Sequence, residues 1–387
     1  MEDEKGVKLI IDYRRKITME LRTDVLRDSI SFFGRTLFDG NEGVIFFNWT
    51  GAGFELTFRG TKVEAVLEGR ADYFPTEGTN VPWLAVFLDG ARVPARIFDV
   101  PDGPGAYTLF ECPTPETHTI RIVKRSENTK GRVGIRSLSV TGDILPKKAP
   151  ARRPRLEFIG DSITCGFGNE TDETGMFKTA LENGFKAYGA VAAELLDADY
   201  HSICISGIPL CNSYNENFTI KLPDFSDFRP PRRAMEDYYA YTDRFQQEAS
   251  GFASGFEEWD FKKFQPDAII VNLGTNDAFR CKASGNDPEE ERHFERRYKE
   301  FLYLLRHLNG PEPVIGCTLG SMDYYLYDNI LRAADAYKAE TGDKRIFCYK
   351  FGGIFLWEEG IGALDHPSAK THERMGKELA DVLKKWI

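Results

Sequence analysis

The chain has 387 residues, 42% of them hydrophobic and 13% aromatic, and a formal net charge of −10. That length exceeds one ordinary domain and suits two, each with a real core. The acidic balance argues against nucleic acid, which rewards basic patches, and no apolar run approaches the roughly 20 residues of a membrane span.

The N-terminus, Met1 to Lys5, is acidic and lacks an apolar h-region, so it does not read as a secretory signal. The seven cysteines are an odd number and form no Cys-x-x-Cys pair. Reduced thiols and a cytoplasmic location are expected.

Short alternating segments dominate up to about residue 145. Phe54–Phe58 and Val63–Leu67 alternate cleanly. Trp83–Leu88 is a continuous apolar run that ends at Asp89-Gly90, a hairpin dipeptide. His118–Val123 and Val133–Val140 continue the pattern, with turn signals about ten residues apart. Residues 1–145 are read as an all-β sandwich, with Trp49 and Trp83 in its core. A proline-rich, basic stretch over 146–154 is read as a linker. From 155 to 387, strands alternate with helices. Strands are expected at Leu156–Ile159, Ser202–Ile205, Ala268–Leu273, Val314–Thr318 and Arg345–Tyr349, and helices at Gly184–Leu196, at Glu291–Leu308 and after Pro367. The run Ala268–Leu273 has the unbroken apolarity of a buried parallel strand. The fold class is therefore α/β with a mostly parallel sheet, preceded by an antiparallel β domain.

Phe158-Ile-Gly-Asp-Ser-Ile-Thr-Cys-Gly-Phe-Gly168 places Ser162 at the carboxyl end of the first of these strands, the edge at which open α/β sheets bind ligands. Ser206-Gly207 follows the next strand, Gly274-Thr275-Asn276-Asp277 the one after it, and Asp365-His366-Pro367-Ser368 precedes the last helix. Each residue type has a job. A serine hydroxyl becomes a nucleophile when a base such as His366 takes its proton. A tetrahedral oxyanion needs fixed donors, which the N–H groups of Ser162 and Gly207 and the Asn276 amide would supply. Asp277 reads as a structural turn carboxylate. No metal or cofactor is expected, because the other histidines lack ligand spacing. The aromatic-rich stretch Asn212–Asp260 reads as a lid or a set of short helices. Trp259 and Phe279 are candidate substrate contacts, and Pro230-Pro231-Arg232-Arg233 a solvated turn.

These four blocks, in order, resemble the SGNH or GDSL hydrolase superfamily over residues 155–387. Asn48-Trp49-Thr50-Gly51-Ala52-Gly53-Phe54 is similar to the Trp-Ser-Gly-Ser-Gly stretch of carbohydrate esterase family 2, and the segments around Ser162, Asn276 and His366 are close to the motifs of that family. The resemblance implies a jelly-roll domain, a three-layer flavodoxin-like hydrolase domain, and removal of O-acetyl groups from xylan- or glucomannan-derived oligosaccharides. A general acyl esterase or thioesterase, and a glycan-binding protein with a degenerate hydrolase domain, are the alternatives. One departure stands out: the aspartate expected two or three residues before the histidine is replaced by Leu364 and Ala363. Asp365 is adjacent to the histidine, and adjacent side chains usually diverge. The expectation is a Ser–His dyad with a backbone carbonyl holding Nδ1–H, and Asp365 is kept as the alternative orienter.

Overall fold

A computed structural model describes residues 7–11, 17–74, 78–146, 153–171, 175–215, 217, 219–221, 227–228 and 232–387. Most of the expected linker, and the expected turn at Pro230-Pro231, lie outside them.

The N-terminal domain is built on one curled antiparallel sheet of ten strands, with a separate two-stranded ribbon of Asp72–Phe74 and Gly78–Asn80. Its axis is the long strand Gly53–Arg70, flanked by Gly103–Lys124 and Arg132–Ile144. The two alternating segments 54–58 and 63–67 are thus halves of a single strand. What reads as two layers in the sequence is one sheet bent on itself. Register shifts between Thr108 and Phe110, Glu111 and Glu116, Ile135 and Ser137, and Thr141 and Gly142 supply the curvature, since an extra residue in one strand kinks and twists the pair. At Gly60 the bend leaves no room for a side chain, because a Cβ would lie 2.3 Å from Thr141 O.

The second domain holds five parallel strands in the spatial order Asp199–Cys204, Arg155–Gly160, Ala268–Asn272, Val314–Leu319 and Ile346–Lys350. Numbered along the chain this order is 2-1-3-4-5, and the connections reverse direction at the first strand. Alternate strand residues serve opposite faces. Leu156, Phe158, Ile270 and Val314 pack with Tyr188, Met375 and Leu379 from the helices Tyr188–Leu195 and Ala369–Leu383. Ile159, Ile269, Val271 and Ile315 pack with Phe294, Tyr298 and Ile330 from Pro288–Asn309 and Tyr327–Thr341. The expected helix at 184–196 is split: a 3-10 turn, Gly184–Lys186, precedes the helix Tyr188–Leu195. Gly184 N–H is taken by Arg125 O of the N-terminal domain at 3.0 Å, which holds that first turn apart from the helix.

The domains share a core. One buried apolar cluster runs from Phe54 and Leu138 of the curled sheet to Ile203 and Val271 of the parallel sheet. Arg35, fully buried, crosses the junction: Nη1 donates to Tyr239 O and, at 2.7 Å, to Tyr241 O, and Nη2 to Glu157 Oε1 at 3.3 Å. Trp49 is buried as expected, but its indole N–H reaches across the junction to Thr242 O at 2.9 Å.

Candidate active site

The strand Arg155–Gly160 ends in a sharp turn into the one-turn helix Ser162–Cys165. Asp161 caps that helix, its Oδ1 accepting Ile163 N–H at 3.0 Å, as short polar side chains do at helix starts. The turn needs Gly160, where a Cβ would fall 1.9 Å from Thr164 Oγ1. Ser162 is thereby fixed at the carboxyl edge of the sheet, 7% exposed.

His366 meets it there. His366 Nε2 lies 2.9 Å from Ser162 Oγ, and Nδ1 lies 3.1 Å from Ala363 O and 3.0 Å from Leu364 O. Carbonyl oxygens only accept, so the proton of the neutral ring belongs on Nδ1 and the Nε2 lone pair faces the serine hydroxyl. Two successive residues with positive φ, Leu364 at 49° and Asp365 at 62°, curl the chain so that both carbonyls point at the ring. The loop is pinned by Ala363 N–H to Gly168 O at 2.9 Å and Leu364 N–H to Gly175 O at 3.0 Å. Asp365 is exposed and makes no hydrogen bond to the imidazole, so the side chain kept as an alternative orienter does not orient the ring. The Phe167 ring lies against His366 at 4.5 Å between centroids. Burial holds the imidazolium pKa below its usual value, opposed by the Leu364 and Ala363 carbonyls and more weakly by Glu127 and Asp365.

Gly207, the exposed turn residue after Asp199–Cys204, has φ 76° and open space on its side-chain face. Among the described residues, the N–H groups of Ser162 and Gly207 have no hydrogen-bond acceptor. Asn276 stands in the first turn of Thr275–Ala283, and its Nδ2 donates to Ile208 O at 3.1 Å and Asp161 Oδ2 at 3.3 Å. Burial raises the Asp161 carboxyl to about 7 against the opposing pull of Ile163 N–H. Asp277 is structural: its carboxylate accepts Leu210 N–H at 2.8 Å and Cys211 N–H at 3.3 Å, which ties the segment after Gly207 to the asparagine helix.

The two aromatic candidates separate. Phe279 is 60% exposed, one turn beyond Asn276. Trp259 is 7% exposed and packs against Arg35 and His201 at the domain junction. Trp259 is therefore packed into that junction, with little of its ring open to a ligand.

A group that sequence reasoning passed over lies behind the site. Lys124 at the end of one sheet strand, and Arg125 to Asn128 in the connection to the next, are all buried. The Glu127 and Glu182 carboxylates and the Cys165 thiol bring their ligand-type atoms within 4.8 Å of one another, with the Lys124 ammonium beside them, hydrogen-bonded to Glu127 O at 2.6 Å. Burial raises the Cys165 thiol and the Glu182 carboxyl well above their ordinary values and lowers Lys124 to about 8. The only sequence signal was an unusually dense polar run, Lys124-Arg-Ser-Glu-Asn-Thr-Lys130, between apolar strands.

A 2-1-3-4-5 parallel sheet with a serine–histidine pair past its carboxyl edge, and a glycine turn and an asparagine after neighbouring strands, is the arrangement of an α/β hydrolase. Residues 156–379 match the family model of GDSL-like lipase/acylhydrolase, and residues 32–150 match that of the carbohydrate esterase 2 N-terminal region. The chain belongs to the GDSL-like lipase/acylhydrolase family and, with that N-terminal region before it, to carbohydrate esterase family 2. It is 29% identical over 345 residues to the cellulase/esterase CelE of Acetivibrio thermocellus, covering 87% of this chain and 37% of that protein's length. It is 25% identical over 357 residues to an acetylxylan esterase/glucomannan deacetylase of Cellvibrio japonicus, covering 92% of this chain and 88% of that one. Among solved structures, a family two carbohydrate esterase from Clostridium thermocellum in complex with cellohexaose superposes with a TM-score of 0.74 at 27% identity, over 92% of this chain and 100% of that chain.

Proposed function

We propose that the chain is a serine esterase that removes O-acetyl groups from plant polysaccharide-derived oligosaccharides. The observation that carries this reading is the 2.9 Å contact between Ser162 Oγ and His366 Nε2, beside two backbone N–H groups that have no acceptor among the described residues.

In this reading Ser162 Oγ attacks the acetyl carbonyl carbon while its proton passes to His366 Nε2. The oxyanion that forms is met by the N–H groups of Ser162 and Gly207 and by the Asn276 amide, which shares or gives up its longer contact with Asp161. The imidazolium returns its proton to the departing sugar oxygen, leaving an acetyl-enzyme. Water, deprotonated by His366, attacks the acetyl carbon. Acetate leaves, and Ser162 recovers its proton. Every step uses groups of this chain, and the neutral Nδ1–H tautomer required at the start is the one that Ala363 O and Leu364 O favour. Phe279 would offer exposed apolar surface one turn beyond Asn276, and Phe167 backs the His366 ring. The carbohydrate as substrate class is supported by the names of the two relatives and by the cellohexaose bound to the neighbouring structure.

The test is acetate release from acetylated xylo- and manno-oligosaccharides by the wild type and by Ser162→Ala. A loss of at least about 1,000-fold in the variant is expected, and equal rates would overturn the reading.

A further inference from the structure

Connections between sheet strands ordinarily lie on the surface, because their polar groups need water. The connection after the strand Gly103–Lys124 instead runs into the second domain, beneath the nucleophile. Glu127, fully buried, is its key residue. Its Oε2 accepts the N–H of Ser206 at 2.6 Å and the thiol of Cys165 at 3.4 Å. Ser206 immediately precedes Gly207, and Cys165 closes the single helical turn that begins at Ser162. One carboxylate oxygen from the N-terminal domain therefore bridges the nucleophile helix and the glycine turn. Glu127 is itself held at its backbone, its N–H donating to Glu182 Oε2 at 3.1 Å and its carbonyl accepting from Lys124 Nζ at 2.6 Å.

We propose that Glu127 is a positioning residue of the active site: through Ser206 N–H and Cys165 it sets the spacing between the nucleophile and the oxyanion-binding turn, so the N-terminal domain completes a site whose reacting groups all belong to the other domain. The inference rests on reading Ser162 as nucleophile and Gly207 as oxyanion donor. A turn carrying an exposed glycine at positive φ has little intrinsic rigidity. A backbone N–H bonded to a buried carboxylate is a strong, directional anchor for it. The groups facing Glu127 are Lys124 at the end of the preceding strand, Glu182 at the end of the turn Thr179–Leu181, Cys165, and Asp161 before the nucleophile, whose carboxyl burial raises and Glu127 helps to raise. Glu182 and Cys165 are both pushed toward their protonated forms by burial. The negative charge of Glu127 also favours the His366 imidazolium, secondary to the burial that disfavours it and to the carbonyls that hold it.

The experiment compares wild type, Glu127→Gln and Glu127→Asp on 4-nitrophenyl acetate, with the active fraction counted by fluorophosphonate labelling of Ser162 and folding followed by circular dichroism. Misplacing reacting groups by about an ångström costs on the order of 100-fold. Glu127→Gln is expected to lower kcat per labelled site by about 10- to 100-fold with KM nearly unchanged, and to move the acid limb of the pH profile to lower pH. Glu127→Asp, which keeps the charge but shortens the reach, is expected to fall between, and it decides the matter if the glutamine variant does not fold. Wild-type kcat per labelled site with an unmoved acid limb, in either folded variant, would overturn the proposal while leaving the functional reading intact. A wild type that neither labels at Ser162 nor hydrolyses acetyl esters overturns the functional reading, and this proposal with it.

Discussion

His366 Nδ1 lies 3.0 Å from the main-chain oxygen of Leu364, and the same carbonyl arc brings Ala363 O to 3.1 Å. The geometry depends on Leu364 holding φ 49° and ψ 46°, a left-handed conformation that costs an L-residue about 1–2 kcal/mol. Leu364 is 48% exposed, so its side chain adds little packing. Leu364→Gly should therefore keep kcat and stability close to wild type. Leu364→Ile, β-branched at positive φ, should lower stability by about 1 kcal/mol and reduce kcat as the carbonyls swing away. Thermal melts and kcat on one acetyl ester check both.

The direction of the His366 shift fixes a pH dependence. Burial lowers its pKa below the ordinary 6.5, and the reaction needs the neutral ring. Activity should therefore be fully present at neutral pH and fall only as pH drops through the depressed value. A kcat/KM profile between about pH 4 and 8 should place the acid limb below 6.5, and a limb above that value would contradict the environment described.

Asn276 separates binding from chemistry. Loss of a side-chain oxyanion donor typically costs about 100- to 1,000-fold in kcat. Asn276→Ala should show such a loss with little change in KM. A change confined to KM would instead assign the amide to substrate binding.

Arg35 tests the junction between the domains. It is buried, pairs with Glu157 and donates to two main-chain carbonyls. Arg35→Ala leaves a buried carboxylate without its cation, a change that typically costs about 3–5 kcal/mol. Denaturant unfolding should show that loss. A change under about 1 kcal/mol would mean that Arg35 adds little to the shared apolar core and the other polar contacts across the junction.

The parts of the site legible in the sequence are those written in local signals. Ser162, Gly207 and Asn276 each follow an apolar strand directly, and His366 precedes a capped helix, so strand order alone brings them to one edge. The helix begins at Ala369 with Ser368 as its cap, two residues later than Pro367 suggested. Other features depend on contacts between distant residues. The carbonyls that hold His366 come from a pair of positive-φ residues whose side chains, Leu and Asp, do not announce that conformation. Glu127 sits in a polar run with no motif of its own, and it is buried because another domain covers it. Trp259 belongs to an aromatic-rich stretch, and composition cannot separate a ring packed on Arg35 from one open to a sugar. The curl of the N-terminal sheet comes from register shifts, which an alternating pattern does not display.

The central claim is that Ser162 is activated by a histidine oriented by backbone carbonyls and not by a carboxylate. The most direct measurement is kcat for Asp365→Asn beside His366→Ala on the same acetyl ester. Asparagine tolerates positive φ, so the loop should keep its shape in the first variant. Asp365→Asn should stay within about fivefold of wild type, whereas His366→Ala should fall by about 10,000-fold or more. A loss on the order of 10,000-fold in Asp365→Asn, the size seen when a triad aspartate is removed, would contradict that claim.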